Sequence, residues 1–417
     1  MALPVRSLPV IQNWDCHGCA DCCREYLVRV TDEERARIEA QGWEDDPALR
    51  GVRLFTRKGW RRPRYHLNRR ADGACVFLDE NHRCRIHARF GAGAKPLACR
   101  IYPFVLVPAG DHWRVGLRYA CPSAAGNKGR PLGEHLPEVR DYAAGLERQE
   151  GIGPGRLPGP PTHRGQSCNW PDFFRFIAAF GAVMRDTSDP LERRLRRWLA
   201  LAKVCREARF DRITGPRLTE FLEVMTAAVG EEVPERPEDV APPGWLGRLV
   251  FRQALALYVR KDTGPQRGIS RRGRLALLWS AWRFARGTGR VPRLHAAIPE
   301  VRFEQAEEPA GPIPPAVEER LANYYRLKLE SLQFCGKSNF GLPVWDGLAS
   351  LALTFPAVCW LARVLRDRPR EEALVTALRI VDDNFGFNPM LGTGRQKFAV
   401  RLLAERQEAD RLVAWYA

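Results

Sequence analysis

The sequence predicts an α+β chain in which a small, irregular, metal-organised N-terminal domain is followed by a larger all-α domain. Three observations carry this expectation. Eight of the 12 cysteines fall within the first 121 residues. From about residue 170 onward, apolar residues recur at spacings of three and four. Between the two regimes lies EGIGPGRLPGPPTHRGQS, too rich in Gly and Pro for a regular element. The expected organisation is a cysteine-cluster domain over 1–150, a linker over 151–169 and a helical domain over 170–417, subdivided near 299–315.

In order along the chain, Thr31 is placed to cap a short helix running to about Gln41, with Glu34 at the capping-box position. Residues 105–119, VLVPAGDHWRVGLRY, read as a hairpin turning at Pro108-Ala109-Gly110-Asp111. Helices are expected at 173–184, 192–206, 217–229, 246–260 and 271–286. A final helical block covers about 316–336, 346–366, 370–384 and 395–416. Loops rich in Pro and acid interrupt at 231–243 and 299–315, and there is no internal repeat.

Composition sets outer bounds. A chain of 417 residues, 45% hydrophobic with 19 Phe and 12 Trp, builds a core and is not disordered throughout. The formal net charge is +17, but 58 of the 66 basic residues are Arg, enriched together with Ala, Gly, Pro and Leu. That bias accounts for the charge without a nucleic-acid partner. The most apolar run, Gly347 to Ala362, has 16 residues and carries Pro356. It is short for a bilayer span and reads as a core helix. The opening MALPVRSLPVIQNWDC lacks an apolar export segment, so the expectation is a cytoplasmic protein. In a reducing compartment, dense cysteines are metal ligands or redox thiols rather than a disulfide framework.

The candidate metal ligands are Cys16, Cys19, Cys22, Cys23, Cys75, Cys84, Cys99 and Cys121. The opening CHGCADCC places two residues between successive cysteines, a spacing that lets a tight turn aim two sulfurs at one centre. Gly18 suits a positive φ in that turn. Adjacent thiols diverge, so one of Cys22 and Cys23 is expected to serve another centre, pack in the core or act in exchange chemistry. Eight thiols suffice for two four-cysteine sites, or one with spare redox thiols. The ferredoxin continuation and the radical S-adenosylmethionine spacing C-x3-C-x2-C are both missing, and Cys84-x2-His87 is a loose zinc half-site. Iron–sulfur, as a 4Fe-4S cluster, and zinc both remain open. Arg24, Arg83, Arg85, Arg89 and Arg100 lie close to cysteines in the sequence and are expected to offset thiolate charge.

CHGCADCC followed by CVFLD, CRIH and KPLACRIYPF resembles the cysteine-cluster (YkgJ-type, CxxCxxCC) family of zinc- or iron-chelating proteins, over about residues 13–125. The resemblance implies bound metal, often described as iron–sulfur. Here ARFGAGAKPLA, between His87 and Cys99, is longer than the family's usual linker, which leaves the role of His87 open. In size and layout the chain is more distantly similar to the flagellin lysine-N-methylases, although no glycine-rich turn that would cradle S-adenosylmethionine follows a strand.

Other signals have plainer explanations. Residues 57–70 hold seven basic residues with Trp60 and Tyr65, suiting an anion or single-stranded nucleic acid, or equally a solvated basic strand pair over the metal site. Arg271-Arg272-Gly273-Arg274 reads as the exposed first turn of a helix. Asp382-Asp383-Asn384 reads as a helix end before a turn, with a carboxylate site as the alternative. Tyr324, Tyr325, Phe334 and Phe340 read as core and loop anchors.

The leading expectation is a cytoplasmic metal-binding protein carrying an iron–sulfur cluster for electron transfer or cluster-assisted chemistry, with a protein or small molecule as substrate. The alternatives are a protein lysine methylase using S-adenosylmethionine and a zinc-stabilised, non-catalytic binding module.

Overall fold

The computed structural model describes the chain except for residues 1–2, 7–11, 60–62, 153–156, 164, 211 and 269–272. Trp60, Arg61 and Arg62 of the basic segment, and Arg271 and Arg272, therefore lie outside the described residues. The architecture is α+β, with most strands near the N-terminus; a short antiparallel pair, Pro161–His163 with Gln166–Ser167, lies inside the Gly/Pro-rich stretch expected to hold no regular element.

The N-terminal part runs α1 (Asp21–Glu25), β1 (Arg29–Val30), α2 (Asp32–Glu39), β2 (Phe55–Lys58), β3 (Arg64–Leu67), α3 (Arg85–Phe90) and α4 (Leu97–Ile101). After these come the hairpin β4 (Phe104–Ala109) and β5 (His112–Leu117), then α5 (Pro122–Ala125) and α6 (Leu136–Glu150). The cap on α2 is the one its sequence predicts. Thr31 Oγ1 accepts from the Glu34 amide at 3.1 Å, while Glu34 Oε2 accepts from the Thr31 amide at 3.0 Å. Glu34 Oε1 also accepts from the Leu97 amide at 2.7 Å, which ties α2 to α4.

β1, β3 and β2 form an antiparallel sheet in that order, with Arg29 opposite His66 and Phe55 opposite Leu67. The basic segment is thus a strand pair, β2 and β3. Val30, Ile38, Trp43, Phe55, Leu67 and Phe77 form a small core whose edge is Cys75, Cys84 and Cys99. The predicted hairpin forms, but β4 runs through Pro108 to Ala109, so the turn is shorter than expected. A two-stranded sheet has only edge strands, and an edge tolerates the missing proline N–H.

The helical part comprises α7 (Trp170–Arg185), α8 (Leu191–Glu207), α9 (Pro216–Glu232), α10 (Trp245–Tyr258), α11 (Gly273–Arg286) and α12 (Phe303–Glu307). It continues with α13 (Pro315–Glu330), α14 (Val344–Ala352), α15 (Thr354–Val364), α16 (Arg370–Asn384), α17 (Gly394–Glu405) and α18 (Glu408–Tyr416). The single helix expected over 346–366 breaks at Leu353. Pro356, three residues on, has no N–H with which to bond back across that point. Val344–Val364 is long and apolar enough by composition to cross a membrane, and here every one of its residues is buried in the fold.

Apolar packing continues across the Gly/Pro-rich stretch. Phe104, Trp113 and Leu117 of the hairpin and Val139 of α6 share one core with Phe173, Trp198, Tyr324 and Trp360 of the helices. On α11, Leu275, Leu278, Trp279 and Trp282 point away from that core into solvent.

Asp382 and Asp383 lie in the last turn of α16, as a helix end, and both, Asp382 buried and Asp383 half-buried, are carboxylates clamping the two parts together. Asp382 Oδ2 accepts from the Ala120 amide at 3.0 Å. Asp383 Oδ1 accepts from Tyr26 Oη at 2.7 Å and from Arg118 Nη2 at 2.9 Å. Lys261 pairs with Asp383 Oδ2 and, at 3.4 Å, with Glu25 Oε2. This clamp fixes α1 and the strand following the cysteine loops against the helices.

Candidate metal centre

All 12 cysteines are free. Four segments bring five of the predicted ligands to one cavity of about 370 Å3, lined by Cys22, Cys23, Cys75, Cys84 and Cys99. Local folding explains each placement. Gly18 takes φ +65° in the turn between Cys16 and Cys19, as expected, and Ala20 is also left-handed at φ +61° just before α1. α1 carries Cys22 and Cys23, whose Sγ atoms are 3.9 Å apart. The Cys75 amide bonds the Cys23 carbonyl at 2.9 Å, which stitches the second cysteine segment to the first. A bridge between Leu78 and Cys84 then closes the following loop, and Cys84 stands immediately before α3. Cys99 comes from the middle of α4.

Cys19 and Cys121 do not line this cavity but lie close to Cys22. Each is near enough to Cys22 to raise its thiol pKa further, after burial, which is the main cause. Cys16 and Cys19 are exposed and Cys121 is buried. Cys22 and Cys23, expected to diverge, instead both line the cavity, because the short helix α1 turns both side chains toward it. Among the described residues, no three Cys, His, Asp or Glu side chains converge as a preformed single-ion site would require. The five thiols surround a space rather than a point.

Three of these thiols, Cys22, Cys75 and Cys99, are held above the ordinary thiol range. Hydrogen bonding with Cys23, and then burial, pushes the Cys22 thiol up. Burial pushes Cys75 to about 11 and Cys99 further still. One cation among them is Lys95, which sequence reasoning missed. Burial works against its ammonium, but the sulfurs of Cys99, Cys84, Cys23 and Cys22 outweigh that and hold its pKa above the ordinary lysine value. Lys95 is delivered by the unusually long 88–98 segment, so the departure in length was the available signal.

The arginines expected to offset thiolate charge mostly turn elsewhere. Arg85 pairs with Asp46 at 3.4 Å and Glu80 at 3.2 Å, Arg100 with Asp141 at 2.8 Å, and Arg89 lies over the Trp43 ring. A residue next to an inward-facing cysteine is rotated away from the cavity by the period of the helix or strand. Arg69 and Arg118 line the cavity instead, with Tyr26 and Tyr102. His87 is exposed on α3 and is not part of the lining.

Soft sulfur donors with a nearby cation suit a thiophilic metal or an iron–sulfur cluster. Residues 15–122 match the family model CxxCxxCC, described as "Putative zinc- or iron-chelating domain". That match supports the cysteine-cluster resemblance and a zinc- or iron-chelating role for this segment, about a quarter of the chain. No curated protein and no solved structure matches the chain.

Proposed function

We propose that the chain is an iron–sulfur protein whose cluster is held by thiolates of the cavity and serves electron transfer or cluster-assisted chemistry in a reducing, cytoplasmic compartment. The observation that carries this is the shape of the thiol set: five cysteines from four segments face a common cavity of about 370 Å3, with a lysine among them. A multi-atom cluster can fill such a space and be ligated from its walls. When bound, a cluster of this kind supplies reversible one-electron chemistry.

The protein's own residues provide the setting. Cys22, Cys23, Cys75, Cys84 and Cys99 are the candidate ligands, and a cluster needing four leaves one in reserve. Cys19 and Cys121 lie near enough to Cys22 to interact with it, outside the five that line the cavity. Lys95 offsets thiolate charge, and the tyrosine pair Tyr26 and Tyr102, with ring centroids 5.1 Å apart, walls the cavity off from the helical part.

The test is the amount of iron, zinc and acid-labile sulfide per chain after anaerobic purification, together with an absorption spectrum. About four irons and four sulfides with a broad band near 400 nm are expected for a cubane cluster. One or two zincs without sulfide would overturn the proposal and leave a structural metal site.

A further inference from the structure

We infer that a second cavity, on the far side of the Tyr26–Tyr102 wall, is a binding site for a small oxyanion, a carboxylate or phosphoryl group. It measures about 480 Å3, the size of a small-metabolite site, and shares Tyr26 and Tyr102 with the thiol cavity. Its walls come from α1, the 261–266 and 295–297 loops and α16.

One wall carries a donor with no acceptor among the described residues. His295 is only 7% exposed. Its Nδ1 accepts from the Ala297 amide at 3.0 Å, so the proton sits on Nε2, which makes no hydrogen bond among the described residues. Burial, and after it the Lys261 charge, keeps the ring neutral with a pKa near 4. His295 lines the cavity, where a ligand or water can accept from that N–H.

The remaining walls favour an anion. Arg24, Arg368, Arg379 and Lys261 line the cavity with Asp21, Glu25 and Asp383, and Arg368 at the rim also pairs with Glu372 at 3.1 Å. The carboxylates are already engaged: Lys261 holds Glu25 and Asp383, and Arg379 holds Asp21 at 2.8 Å. Among the described residues Arg24 makes no ion pair with a carboxylate, and its Nη2 meets His82 Nδ1 at 2.8 Å. Arg379 Nε is buried without an acceptor. Guanidinium groups with unused N–H bonds are matched to oxyanions. That the bound anion is the substrate rests on the metal-centre proposal above, whereas its binding does not.

The experiment is calorimetric titration of the purified full chain with inorganic phosphate and, separately, succinate, with iron, zinc and sulfide measured on the same samples. Saturable one-to-one binding of at least one probe is expected. His295→Leu and the rim variant Arg368→Gln should each weaken it about tenfold or more, with metal content and helical circular dichroism unchanged. Arg217→Gln, on the exposed face of α9, should bind as the parent does. Failure of both probes overturns the inference. So does undiminished binding by both site variants, or equal weakening in Arg217→Gln, which marks mere attraction to a basic protein. None of these outcomes alters the metal count, so the two proposals fail separately.

Discussion

Lys328 Nζ and Asp382 Oδ1 form a 2.6 Å ion pair in which neither side chain has any solvent exposure. The ammonium also donates to Gln333 Oε1 at 2.8 Å and to the Leu117 carbonyl at 3.2 Å, so the pair sits where the β4–β5 hairpin, α13 and α16 meet. Burial pulls the Lys328 pKa below the ordinary lysine value against the pull of Asp382.

Removing one member strands the other. Lys328→Met or Asp382→Leu should each destabilise the chain by about 3–5 kcal/mol, and the double variant by less than the sum of the singles, because no buried charge is left unpaired. Urea unfolding of all four chains checks this. Additive losses would mean that the two residues are not coupled.

Metal content should divide the cysteines. Serine at Cys75 or Cys99 should remove most of the bound metal and loosen the N-terminal part, since binding and folding are linked. Serine at Cys205 or Cys359, both buried in the large core, should leave metal unchanged. The readout is metal per chain, and equal loss from both groups would refute the division.

His295 should make acid costly. Its folded pKa is about 4, against an ordinary 6.5, so the unfolded state binds the extra proton between those values. Stability is therefore lost as pH falls from about 6.5 to about 4, by at most about 3 kcal/mol. Lys261 and Arg379 add to the effect and Asp383 opposes it. His295→Gln should lose less stability than the parent over this window in urea titrations. Parallel curves would show that the imidazole is not held neutral.

Asp410 works in the opposite sense. Burial raises its carboxyl from 3.8 to about 6, so ionising it at neutral pH costs stability that returns as pH falls through 6 towards 3.8. Asp410→Asn should be the more stable chain at pH 7 by about 2 kcal/mol, allowing for partial solvation, and should lose that advantage near pH 4. Thermal unfolding at the two pH values decides it, and an Asn variant no more stable at pH 7 would contradict the burial argument.

Much of this was legible in the sequence wherever the signal was local. Thr31 and Glu34 announce their cap by spacing alone, and the helices α7 to α10 by apolar periodicity. The cysteine cluster stands out by count. What could not be read is what depends on distant segments meeting. Lys95 lies four residues from Cys99, yet its place among Cys22, Cys23 and Cys84 follows from the path of the whole 88–98 segment. Asp382 and Asp383 do end a helix, but Tyr26, Arg118 and Ala120 that engage them lie more than 260 residues away. His295 carries no motif at all, and only the cavity beside it gives it a role.

The single core running through Trp113, Val139, Phe173 and Tyr324 has a consequence for modularity. A gene fragment ending after α6 would carry the cysteines along with half of a hydrophobic interface, its hairpin bared to water. Such a fragment should aggregate rather than work as a transplantable cassette, so shuffling the cysteine segment into another protein would require a replacement for the helices that cover it.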